Sequence, residues 1–159
     1  MPLFRPNVKR LKKKGDVNGL IKALVYRPKW AQSSGEVKQA ASVALVEIGD
    51  PAVPNIIDTL NQPDKYLRIN AVKILGEICS IQAKEALIQS LEDEDCDYRL
   101  EAIKALGSFQ DEKLTGHMIQ ALEDDNHLIR KSAAELLEKI TAGGDSQRFF
   151  GLVLAFGIY

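Results

Sequence analysis

Leucine stands at positions 60, 91 and 122, an exact-interval series of 31 residues, and its surroundings recur with it. Leu60 closes Ile56-Ile57-Asp58-Thr59-Leu60, Leu91 closes Leu87-Ile88-Gln89-Ser90-Leu91, and Leu122 closes Met118-Ile119-Gln120-Ala121-Leu122. The same interval separates Arg68, Arg99 and Arg130, then Ala71, Ala102 and Ala133, then Leu75, Leu106 and Leu137, and finally Ile78, Phe109 and Ile140. A period of this length makes each copy one supersecondary unit, too small to bury its own apolar face, so the copies must stack on one another. An earlier copy runs from Val17 to Asp50, with Leu24, Lys38 and Leu45 in the roles of Leu60, Arg68 and Leu75. Its inter-helix loop, Pro28 to Gly35, is longer and carries Trp30, a candidate anchor or a cover for the end of the core.

Inside each copy the apolar residues keep helical spacing. Leu67, Ala71, Ile74, Leu75 and Ile78 lie on one stripe of a helix. Asp64, Asp95 and Asn126 precede the recurring arginines at the distance expected of helix N-caps. Gly49-Asp50-Pro51 breaks the chain between copies. Each copy therefore reads as a helix A, a turn and a helix B, with no segment showing strand alternation. The expectation is an all-α solenoid of about four helix pairs, at about 17–50, 52–80, 83–111 and 114–141, within a repeat domain of residues 16–141.

The two ends differ from the repeats. Residues 1–15 form a basic N-terminal capping helix: Asn7 to Gly15 reads as a short helix ended by glycine, and Arg5, Lys9, Arg10, Lys12, Lys13 and Lys14 carry its charge without an acid. Residues 142–159 form an apolar tail or half-repeat that begins at Gly143-Gly144 and includes Phe149, Phe150, Leu152, Leu154 and Phe156. Such a run either caps the last helix pair or mediates self-association, because a soluble monomer seldom leaves a patch of that kind open. Its apolar stretch is well short of the roughly 20 residues of a membrane-spanning helix, and no membrane partner is expected.

Net charge of −1 and a pI near 6.1 give no global pull toward nucleic acid or an anionic membrane. With 45% apolar residues the chain has material for a core without metal or disulfide staples. Cys79 and Cys96, in a chain that opens on no hydrophobic leader, suit a reduced, cytoplasmic setting.

The order of apolar helix A, Asp or Asn, Arg, Ala-rich helix B, and a glycine near its end (Gly76, Gly107) resembles HEAT repeats, and more narrowly the short HEAT-like repeats of the phycobilisome-lyase type. The resemblance covers about Val17 to Thr141. It implies a right-handed α-α superhelix of HEAT-like pairs, with a ladder between neighbouring repeats built from Asp64, Arg68, Asp95, Arg99 and Arg130. Lys38 and Asn126 depart from that pattern. The family includes scaffolds and chromophore-attachment proteins, so the resemblance also implies a phycobilin-lyase-like accessory role as an alternative. Members that attach bilins are generally longer and often work as paired subunits.

No catalytic residue is expected: the sequence has no nucleophile–base signature, phosphate loop or G-x-S-x-G. No cofactor or metal is expected either, because His117, His127, Cys79 and Cys96 fall into no ligand spacing. The acidic run Glu92 to Asp97 lacks the ligand order and glycine of an EF-hand and reads as a solvated turn. Nucleic-acid binding through a basic face draws on the N-terminal cluster and on Lys73 and Lys104. It is disfavoured by the interleaved Glu77, Glu101, Glu135 and Glu138 and by the lack of a stacking aromatic series. What is left is a non-enzymatic scaffold that binds another protein on the face of its B helices. Alignment of the copies puts Gln39, Ile69, Leu100 and Lys131 at one position of that face and Val43, Lys73, Lys104 and Glu135 one turn later, with Glu77 beyond. Ile69 and Leu100 either belong to the interface or pack on a neighbouring repeat.

Overall fold

A computed structural model describes residues 5–27 and 34–141, which contain nine α-helices and no strand. Trp30 and the tail residues Phe149, Phe150, Leu152, Leu154 and Phe156 lie outside the described residues. The chain divides into two compact units, one ending at Ala83 and the other beginning at Lys84.

The first unit opens with α1 (Val8–Lys13), which starts where the Asn7 side chain accepts the Arg10 amide at 2.9 Å. It ends at Gly15, whose φ of +63° is a conformation that glycine adopts without steric cost. Asp16 then caps α2 (Val17–Leu24) by accepting the Gly19 amide at 2.8 Å. A Cβ on Gly19 would lie 2.7 Å from Leu11 Cδ2 and 2.6 Å from Asp16 Oδ2, so α1 approaches the first turn of α2 as closely as a backbone permits. Helix α3 (Ser34–Ile48) packs on α1, α2 and α5. Next come the short α4 (Val53–Ile57), flanked by 3₁₀ turns at 50–52 and 58–61, and α5 (Lys65–Ile78), capped by Asp64 through the Leu67 amide at 3.1 Å. The buried residues include Leu20, Ala23 and Leu24 of α2, Ala41 and Leu45 of α3, Val53 and Ile56 of α4, and Ala71, Ile74 and Leu75 of α5.

Helix α6 (Ile81–Gln89) spans the division between the units. In the second unit its end runs into a 3₁₀ turn at 90–92 and then α7 (Cys96–Leu106), capped by Asp95 through the amides of Asp97 and Tyr98. Helices α8 (Thr115–Ala121) and α9 (His127–Thr141) complete the described chain, α9 opening where Asn126 accepts the Leu128 amide at 2.8 Å. Helix α9 packs on both α7 and α8. The recurring small and large residues meet in the core: Ala102 and Leu106 on α7, and Ala133 and Leu137 on α9, are all buried. Buried leucines of this kind each contribute about 1.5–3 kcal/mol. The Tyr98 hydroxyl, carried inward on α7, lies 3.2 Å from Ser90 Oγ, which donates to the Ala86 carbonyl, so these polar groups are not left unpaired.

The A helices α2, α4, α6 and α8 are shorter than the B helices α3, α5, α7 and α9, because Pro51 and Pro54 start one and 3₁₀ turns tighten the ends of two. One detail corrects the expected solvated turn from Glu92 to Asp97: Cys96 and Asp97 already belong to α7.

Candidate functional site

The B helices are α3, α5, α7 and α9. In the first unit α3 presents Gln39 and Val43 to solvent, with Val43 45% exposed, and α5 presents Lys73 and Glu77, while Ile69 is half-buried. Since α3 packs on α5, these residues belong to one two-helix surface. In the second unit Lys104 on α7 and Lys131 and Glu135 on α9 are exposed and Leu100 is half-buried. Neighbouring acids pin two of the lysines. Lys104 Nζ donates to Glu101 Oε1 at 2.8 Å, and Lys131 Nζ lies 3.9 Å from Glu135 Oε1, one helical turn away. The B-helix surface of each unit is thus mixed in sign and partly apolar.

The second unit also holds an ion pair between its turns. Arg99 on α7 donates through Nε and Nη2 to the two carboxylate oxygens of Asp124 at 2.8 and 2.9 Å. Its Nη1 donates to the carbonyls of Asp93 and Glu94 at 2.8 and 3.1 Å. Both ion-pair side chains are largely sheltered, 16% and 13% exposed. One guanidinium therefore ties the turn before α7 to the turn before α9. Arg130 repeats the carbonyl half of the arrangement, its Nη1 donating to Asp124 O at 2.7 Å and Asp125 O at 3.0 Å. Burial opposes ionisation of Asp124 and is the largest influence on it. The Arg99 hydrogen bonds, the Asn126 amide and the charges of Arg99 and Arg130 together outweigh it and hold the carboxyl below its usual range. The Asp124 hydrogen bond in turn raises Arg99.

The acid that meets Arg99 stands two residues ahead of the helix cap, whereas the resemblance to HEAT repeats implies ladder acids at the caps themselves. Asp64 and Asp95 serve as N-caps of α5 and α7, and Arg68 lies half-buried on α5. The signal for Asp124 was present: Asp93 precedes it by the same 31 residues and likewise accepts an amide two residues on, that of Asp95 at 2.9 Å.

A cleft of about 290 Å³ opens beside the ladder, lined among others by Ile88, Glu92, Ile103, His117 and Gln120. Two of its ionisable side chains, Arg99 and Asp124, already bind each other. Among the described residues no group of three His, Cys, Asp or Glu side chains is arranged to hold a metal ion, and no single helix is long and apolar enough to cross a membrane.

A family model for HEAT repeats matches residues 17–94 and 84–149. Among curated proteins none matches the sequence. Among solved structures, the chain is similar to one in the complex of CpcE and CpcF of phycocyanin lyase from Nostoc sp. PCC7120, at 21% identity with a TM-score of 0.72, covering 89% of this chain and 88% of that one. It is also similar to an engineered protein at 22% identity with a TM-score of 0.50, covering 86% of this chain and 67% of that one. These likenesses establish an all-α helical-repeat fold.

Proposed function

We propose, since this chain belongs to the HEAT-repeat family, that it is a non-enzymatic scaffold whose partner is another protein, bound on the exposed faces of its B helices. The observation that carries this reading is the recurrence of exposed or half-exposed residues at matching positions of α3, α5, α7 and α9, held on helices whose opposite faces are core. A surface fixed in this way loses little conformational entropy on binding, which favours affinity without requiring a deep pocket. A cytoplasmic setting goes with the reading, because Cys79 and Cys96 are thiols not joined in a disulfide, a state that persists in reducing compartments. Lys73→Glu together with Lys104→Glu tests it by affinity capture from host lysate. A specific protein held by the wild-type chain and released by the double variant supports the reading. Capture unaffected by the double variant, at unchanged helicity, sinks it.

A phycobilin-lyase-like accessory role is the second reading, and the likeness to a chain of the CpcE and CpcF complex is what favours it. Co-expression with a bilin and a phycobiliprotein apoprotein separates the two. Bilin absorbance that becomes covalently attached only when this chain is present selects the second reading; no attachment leaves the scaffold.

A further inference from the structure

The two units carry opposite charge. Residues 5–27 and 34–83 contain twelve Lys or Arg against seven Asp or Glu, whereas residues 84–141 contain seven against fourteen. The net charge of −1 hides this division. In the first unit the excess is concentrated on α1. Arg5 is paired with Glu36 at 3.0 Å and Lys12 with Glu47, but Lys9, Arg10, Lys13 and Lys14 are exposed with no acid in ion-pair contact among the described residues. Val8 and Leu11 face inward, and the tight contact of Leu11 on Gly19 fixes the helix, so the four cations stand on a supported surface.

In the second unit the excess lies along the turns before α7 and α9. Glu92 and Glu94 are exposed on one turn and Glu123 and Asp125 at the equivalent places on the other. Arg99 ties the two turns together, so the four carboxylates share one edge. On that edge Arg99 is engaged by Asp124 and by backbone carbonyls, and Arg130 directs its Nη1 at the carbonyls of the turn before α9.

We propose that these two patches are complementary halves of a contact between copies of this chain, in which the Lys9, Arg10, Lys13 and Lys14 face of one copy receives the Glu92, Glu94, Glu123 and Asp125 edge of a second copy. The contact joins two different surfaces, so it either closes reciprocally in a pair or continues from copy to copy, and sedimentation distinguishes the two. Exposed ion pairs are individually weak, so the association is low in affinity and strongly dependent on ionic strength. It does not depend on the identity of any partner held on the B helices.

Sedimentation of the full chain at about 20 mM and about 500 mM salt tests the contact, the higher salt reducing the screening length to a few ångströms. The expected result is a weight-average mass that rises with concentration at low salt and returns to the 17.6 kDa of the monomer at high salt. The basic-face variant (Lys9→Glu, Arg10→Glu, Lys13→Glu, Lys14→Glu) and the acidic-edge variant (Glu92→Lys, Glu94→Lys, Glu123→Lys, Asp125→Lys) each remain monomeric alone at low salt. Mixed together, they associate through their unaltered patches. A monomer at every salt and concentration overturns the proposal, as does association that survives high salt or both sets of substitutions. A labelled DNA duplex added at low salt is the third arm: a wild-type chain that stays monomeric but binds the duplex, and loses it in the basic-face variant, assigns that face to phosphodiesters instead.

Discussion

At the scale of single residues, Arg99 and Asp124 matter most in the second unit. Replacing Asp124 with Asn removes the charge partner of a sheltered guanidinium, and the expected loss is about 2–3 kcal/mol in a urea titration. The same pair sets a pH dependence. Asp124 ionises more readily in the folded chain than in the unfolded one, so its contribution is present above the usual carboxylate value of about 3.9 and is lost as pH falls through the lower folded value. Asp111 acts in the same direction, its carboxyl lowered chiefly by the hydrogen bond from Lys84 at 2.5 Å. Stability of the wild type should fall more steeply below about pH 4 than that of Asp124→Asn, measured by urea titration at each pH; equal slopes would remove Asp124 from the account. Two residues sit in left-handed backbone, Cys79 at φ +55° and Gln110 at φ +47°, and Gly49 occupies φ +70° at the corresponding break of the first copy. Gln110→Gly relieves a conformation costing about 1–2 kcal/mol and gives back part of that through unfolded-chain entropy, so a gain of about 0.5–1 kcal/mol is expected by thermal melting.

At the scale of elements, caps and core faces were legible in the sequence because they depend on local chemistry at fixed spacing. Asp16, Asp64, Asp95 and Asn126 each accept an amide at the start of a helix, and Ala71, Ala102 and Ala133 are all buried. The ladder acid was not read, because Asp124 looks like one more residue of a solvated acidic turn until the fold brings Arg99 to it across 25 residues of chain. The breaking of the A helices was also missed. Thr59 Oγ1 donates to the Ile56 carbonyl at 2.7 Å within a 3₁₀ turn, a local competition that hydrophobic spacing does not reveal. The exposure of the B-helix lysines was anticipated by their place off the apolar stripe, and that placement predicts the result of changing them. Lys73→Glu and Lys104→Glu should leave far-ultraviolet circular dichroism unchanged and shift stability by no more than about 0.5 kcal/mol. At the other end, Asp16→Ala should cost about 1 kcal/mol through the lost cap of α2, read from the same titration.

At the scale of the whole chain, the period of 31 residues decided the fold class, because a short repeat leaves its units no other way to bury their faces. Total charge concealed more than it told, since the basic first unit and acidic second unit nearly cancel. Function is less legible than fold because the B-helix surfaces carry no fixed reactive constellation, only a texture of charged and apolar side chains, and a fold alone does not name a function. A protein held on the B helices shields their exposed lysines, and lysine footprinting of the captured complex by acetylation and mass spectrometry reads that shielding residue by residue. Lys73, Lys104 and Lys131 should lose reactivity when the partner is bound while Lys22 and Lys113, exposed elsewhere, keep theirs. Protection of Lys22 and Lys113 with Lys73, Lys104 and Lys131 still fully reactive would contradict the account.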